Sequence, residues 1–199
     1  TIAGYTGESG ETLSGGLPAP GAPGVGIHLK DCTDCAVEGG SVSGVRGGFG
    51  GTASGGAGGQ STGLWIEASS DVSVSGVDVH DLTGAQPGPY YAGAGGEVVG
   101  LLASDTVGLR VDGLTLRKLT GGAAIAGNSA GGNVAALSIQ GGANSTVSHV
   151  LAYGLTQGTN RGTSTASLAR GVFIQASGEV RLANLTLADV GDDAVSVGK

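Results

Sequence analysis

The chain repeats itself. Gly63-Leu64-Trp65-Ile66 aligns with Gly100-Leu101-Leu102-Ala103, and the stretch from Val72 to Gly84 then lies over Leu109 to Gly121 without a gap. Further copies begin near Gly26, Ala136 and Gly171, so successive starts are 37, 37, 36 and 35 residues apart. A period of this length marks a stacked architecture, in which one repeat cannot bury its apolar face alone.

Within a copy the apolar residues fall in short pairs two apart. In the second copy the positions expected to face inward are Leu64, Ile66, Val72, Val74, Val77, Val79 and Leu82. In the other copies the same positions are apolar except at Gly40 and Ser145. Spacing of two is the signature of a strand, and helical spacing does not fit. Each strand is too short to bury anything unaided, so equivalent residues must stack in ladders about 4.8 Å apart. The predicted fold is all-β: a single right-handed parallel β-helix over residues 1–199, with a partial coil at 1–25 and about five coils thereafter. An antiparallel sandwich, the structural alternative, does not require equivalent positions to stack copy upon copy. The 43 glycines raise collagen and disorder as further alternatives. Glycine does not recur every third residue throughout, which excludes collagen. The 39% of hydrophobic residues stand in register, which argues against disorder.

Each copy divides into a regular coil and a Gly-rich insert, at 48–62, 85–99, 122–135 and 159–170. Three inserts carry Ala-Gly-Gly at matching places, 57–59, 94–96 and 130–132, which predicts a patterned loop with room for one extra short strand. Phe49, Tyr90 and Tyr91 lie on inserts where no core explains them, and exposed aromatics there suit stacking on a sugar or a partner surface. Residues 1–10 align with the second half of a coil, Tyr5 over Val42 and Gly10 over Gly47, and Asp192 opens what reads as the next insert. Both ends therefore fall in mid-period. The expectation is either a window from a longer protein or coils that stack head to tail into filaments.

Net charge is −7 and the nine basic residues are scattered singly, so nucleic acid is not an expected partner. No apolar run reaches the ~18 residues of a membrane span. Absence of Met and scarcity of Lys fit an exported protein. Cys32-Thr33-Asp34-Cys35 supplies two thiols where a zinc site needs four ligands, so a local disulfide between Cys32 and Cys35 or a buried thiol pair is expected, with a mixed metal site including His28 and Asp31 as the alternative. Outward positions also line up: Asp81 beside Lys118, His80 beside Arg117 and Tyr153, and Glu38, Ser75, Asp112 and Ser148 in one column. These read as solvated faces with weak pairing. Their carboxylates and hydroxyls are also suitable ligands for calcium, although no three converge. No metal site or cofactor is predicted.

The pattern Gly-φ-x-φ followed by Val-x-Val-x-Gly-Val-x-Val (φ, apolar) resembles the parallel β-helix repeats of pectate lyases and polygalacturonases, over nearly the whole chain. Gly191-Asp192-Asp193-Ala194 is similar to the polygalacturonase Gly-Asp-Asp-Cys stretch, which by resemblance makes Asp192 and Asp193 candidates for an acid/base carboxylate set. The family's Asn-Thr-Asp motif is missing one coil earlier, and Ala194 stands where the family has Cys. Paired aspartates also suit a turn between strands. The leading expectation is an extracellular structural or adhesive solenoid that stacks on itself or meets polysaccharide. A pectinolytic hydrolase or lyase and a non-catalytic glycan-binding module are the alternatives.

Overall fold

A computed structural model describes residues 1–10, 19–51, 56–89, 93–125, 127–164, 167–176 and 178–197. The chain winds as a parallel β-solenoid of about five turns. One coil shows the plan: strand Ser61–Glu67, a corner, strand Ser73–Ser75, a second corner, strand Asp78–Thr83, then the Gly-rich insert. Six strands equivalent to Ser61–Glu67 form one parallel sheet, with Ile27, Leu64, Leu101, Leu137, Val172 and Val195 in a single row. The other strands form a nine-stranded sheet, in which Val74 pairs with Val111 and Val79 with Leu116.

The inward rows make one narrow core. Leu64, Ile66, Val72, Val74, Val79, Leu82 and their equivalents in the next coil are at most 1% exposed. Each such residue contributes about 1.5–3 kcal/mol by leaving water. Glycine opens every copy but one for a reason of space: a Cβ at Gly63 would strike Val79 and the Gly100 carbonyl, because the first sheet passes close to the third side of the coil. Ser145 occupies the row of Val72, Leu109 and Val180, is 1% exposed, and its Oγ has no hydrogen-bond partner.

The corners are left-handed residues stacked in columns. Gly39, Gly76, Gly113, His149 and Asn184 form one, at the second corner; Gly44, Asp81, Lys118, Gly154 and Asp189 form another, at a bend within or beside the third strand, all with φ between 50° and 68°. Asp, Asn and Gly tolerate this conformation best, the first two through local side-chain hydrogen bonds. Sequence reading assigned bends to Gly76 and Gly113; the Asp, Asn, His and Lys corners carry no glycine to announce them.

The described legs of the inserts add a fourth side that is joined through its backbone. Outgoing and returning legs alternate along one chain of hydrogen bonds. Ala22 N–H donates to Glu8, Gly48 to Ala22, Gly59 to Gly48, Ala85 to Gly59, Gly96 to Ala85, Gly122 to Gly96, Gly132 to Gly122 and Gly158 to Gly132, at 2.7–3.2 Å. Where glycine is replaced in the fifth coil, Ser167 Oγ donates to Gly158 O at 2.6 Å. A second set of bonds ties each leg to its equivalent one coil on, as in Gly47 to Thr83 and Gly50 to Gln86. Within a leg, donors to the same neighbour recur every third residue (Gly48 and Gly51; Ala85 and Gly88), the spacing of a three-residue extended helix. The matched Ala-Gly-Gly triplets place Gly59, Gly96 and Gly132 in this chain of bonds. These glycines are needed for space and not for φ, since a Cβ at Gly96 would fall on the Gly59 carbonyl.

Three sequence expectations need correction. The described parts of the inserts form no extra strand, because their bonds run to legs on two sides and leave no ladder of the sheet type. At the start of the chain, Ile2 lies opposite Val42 and Thr6 opposite Arg46, so Tyr5 takes the place of Val45 and not of Val42. Gly4, at φ 72°, is thereby set beside Gly44, at φ 66°, and this shared corner fixes the register. Asp192 does not open an insert: Asp193–Val197 runs directly into the six-stranded sheet, Val195 opposite Val172, a step of 195 − 172 = 23 residues.

Two predictions follow from these rows. Ser145→Val removes an orphaned hydroxyl and restores the column, so chemical denaturation should show a gain of about 1–2 kcal/mol; a loss would mean that the hydroxyl has a partner. Gly96→Ala should cost about 1–3 kcal/mol or more through overpacking against a carbonyl. Gly113→Asn, at a corner where Asn184 already serves, should cost less than about 1 kcal/mol. Thermal melts followed by circular dichroism read both, and equal losses would refute the distinction between space and φ.

Candidate functional site

Asp192 is held by its own fold. Its N–H donates to the Ala169 carbonyl at 3.1 Å, and its Oδ2 accepts the Ala169 N–H at 2.7 Å. This clasp closes the turn between Val190 and Asp193. Asp193 begins a strand beside Arg170, with 4.0 Å between Oδ2 and Nε. Among the described residues, no group of three His, Cys, Asp or Glu side chains is placed to hold a metal ion.

Cys32 and Cys35 are joined by a disulfide across a corner of the first coil, Cα to Cα 6.2 Å. Cys35 packs against the core in the row of Val72, and Cys32 N–H donates to Ser69 Oγ. Phe49, 55% exposed, stands on an outgoing leg at the edge of a groove of about 440 Å³. Arg46, Thr6, Thr83 and Gln86 line the same groove, an aromatic ring beside a guanidinium, hydroxyls and an amide. Tyr90 and Tyr91 lie outside the described residues.

The outer side of the six-stranded sheet carries a further aromatic row. His28, Trp65, Leu102, Ser138, Phe173 and Ser196 are neighbours from coil to coil. The rings of His28 and Trp65 stack, centroids 4.4 Å apart and 12° from parallel. Trp65 Nε1 donates to Ser104 Oγ at 3.2 Å, and the Arg170 guanidinium lies 5.0 Å from the centroid of Phe173. Sequence reasoning used these strands for their inward residues and, His28 beside the cysteine pair apart, passed over the residue between each pair. The alternation itself was the signal: whatever separates two core residues in a strand points outward.

Charged side chains pair between coils. Arg117 donates to both carboxylate oxygens of Asp78, at 2.8 and 3.2 Å, and Lys118 Nζ lies 3.8 Å from Asp81. His149 and Asp112 are 2.7 Å apart across coils, and within one coil so are His80 and Asp81. The hydrogen bond with His149 holds the Asp112 carboxyl below its ordinary range, helped by Ser148. On the first sheet Glu67 is bonded by Lys30 and His28, each at 3.0 Å.

No protein-family model matches the chain, and no characterised protein was found to match it. Its class is set by the fold: a parallel β-solenoid with a glycine-built fourth side. Among the described residues, no helix is long and apolar enough to cross a membrane.

The Lys30–Glu67 pair gives a signed prediction. The hydrogen bond from Lys30 lowers the Glu67 pKa from 4.5, and the same bond raises the Lys30 pKa from 10.5. The contribution of Glu67 is present above its unfolded value and is lost as pH falls through its lowered folded value. The contribution of Lys30 is present below its unfolded value and is lost as pH rises through its raised one. Glu67→Gln should therefore reduce the fall in Tm with acid below about pH 4.5. Melting profiles of equal slope for the two proteins would assign the acid sensitivity elsewhere.

Proposed function

We propose that this chain is an extracellular structural or adhesive β-solenoid, which acts as a stiff scaffold and meets polysaccharide or further copies of itself. The chain of backbone hydrogen bonds from Glu8 to Gly158 carries this reading. It commits the described legs of the inserts to pairing through their backbone, with glycine at most of the bonded positions. The Cys32–Cys35 disulfide suits an oxidising compartment. A pectinolytic role draws less support, since Asp192 spends a carboxylate oxygen on the Ala169 amide.

End-to-end stacking is the assembly that this reading favours. Val180, Leu182, Leu185, Leu187 and Val190 pack on the core but are only partly buried, whereas Leu109, Val111, Leu114, Leu116 and Leu119, two coils below, are at most 1% exposed. A further coil in the same parallel register, whether continued by the chain or supplied by a second copy, would complete their burial. Light scattering across a concentration series, with negative-stain microscopy, is expected to show rods that lengthen with concentration and shorten in Leu187→Lys. Phe49→Ala should leave them intact. A monodisperse monomer at high concentration removes the stacking. Release of reducing ends or unsaturated products from polygalacturonate, abolished by Asp192→Asn, would replace the scaffold reading with the enzymatic one.

A further inference from the structure

On the outer side of the six-stranded sheet, two neighbouring columns narrow together in the fourth coil. One runs Trp65, Leu102, Ser138, Phe173; the other runs Thr62, Val99, Ala135, Arg170. Ser138 and Ala135 are small, and bulk stands on both sides of them. The result is a notch of about 180 Å³ with Phe173 and Arg170 on one wall and Val99 on the other. This lies below the roughly 300–1,000 Å³ of sites for drug-sized ligands, so it accommodates a single ring.

The polar groups around the notch are fixed before any ligand arrives. At the rim, Asn133 Nδ2 donates to Glu97 Oε1 at 2.8 Å, while Asn133 Oδ1 accepts the Leu168 N–H at 2.9 Å. At the floor, Gln140 Nε2 donates to Ser138 Oγ at 3.1 Å. Glu97 keeps its second carboxylate oxygen, and Gln140 its one amide oxygen, as acceptors. Opposite them the buried Arg170 Nε has no hydrogen-bond partner, the nearest carboxylate oxygen being that of Asp193 at 4.0 Å. That nitrogen is closed to solvent, and it is the rest of the Arg170 side chain, 26% exposed, that offers donors to a ligand oxygen.

We propose that this notch binds one neutral pyranose unit of a polysaccharide. An apolar panel of Phe173, Ala135 and Val99 suits the C–H face of a sugar ring. Donors on one wall and acceptors on the other suit hydroxyl groups, which both give and take hydrogen bonds. Arg170 and Glu97 balance in charge, which favours an uncharged sugar over a uronic acid. The site is distinct from the Phe49 groove and does not depend on end-to-end stacking, although it supplies the adhesive contact in the proposed scaffold.

The test is calorimetric titration of the whole chain with soluble hexaoses of β-1,4-linked glucose, mannose and galactose and of α-1,4-linked glucose, beside oligogalacturonate. At least one neutral series is expected to bind. Arg170→Gln and Phe173→Ala should each weaken it by about tenfold or more, a loss of roughly 1.4 kcal/mol. Ala135→Leu fills the notch without removing any lining group and should abolish binding with its thermal melt unchanged. Phe49→Ala should bind as the parent does. Failure of every neutral series at millimolar concentration, stronger binding of oligogalacturonate, or full binding by Ala135→Leu would each overturn the assignment. None of these outcomes depends on whether rods form, so the failure of the site and that of the scaffold are separable.

Discussion

The strand residues of this protein lie beside their equivalents in neighbouring coils, about 4.8 Å away. That proximity converts a property of one residue into a property of a column. Leucine stacks on leucine to make a core that no single coil could build. A left-handed corner recurs from coil to coil, as in Gly39, Gly76, Gly113, His149 and Asn184. On the fourth side the same constraint is harsher, because outgoing and returning legs approach until carbonyl oxygens stand where side chains would begin. Glycine abundance is the consequence.

This constraint also decides what could be read from the sequence. The core was legible because a column of apolar residues repeats in type: Leu64, Ile66, Val72 and Val74 announce their own neighbours. Corners were legible where glycine marked them and hidden where Asp81, Lys118, His149 or Asn184 adopts the same conformation. The Ala-Gly-Gly triplets signalled order in the inserts, but not its nature, since hydrogen bonds between legs depend on how two distant segments approach. Register at the start of the chain turned on the pairing of Gly4 with Gly44, which an ungapped alignment of apolar residues placed three residues away.

The candidate sites show the limit of the same reasoning. Asp192 and Asp193 attracted attention as a motif, and the structure gives Asp192 to a backbone clasp. Phe49 was singled out as an unexplained aromatic on an insert, and it does border a groove. Phe173 and Arg170 drew no notice, because nothing in either residue is unusual. What distinguishes them is the small size of Ser138 and Ala135 one coil below, a fact about a two-column, two-coil neighbourhood.

In a solenoid whose backbone repeats this closely, function must enter as a defect in the repetition. A column of identical outward residues yields a flat face with no preferred site. A site needs one coil to differ from its neighbours while the core beneath keeps its rows, and outward positions can change in this way because each inward row is fixed independently by the alternation of the strand. Ser138 and Ala135 show such a change: Leu137 and Ile139 on either side of Ser138 remain in their rows at 0% and 1% exposure. The same reasoning separates Ser145 from Ser138. Ser145 breaks an inward row and leaves its hydroxyl buried and unpaired, a defect that weakens the scaffold. Ser138 breaks an outward row, keeps a partner in Gln140, and leaves the core intact.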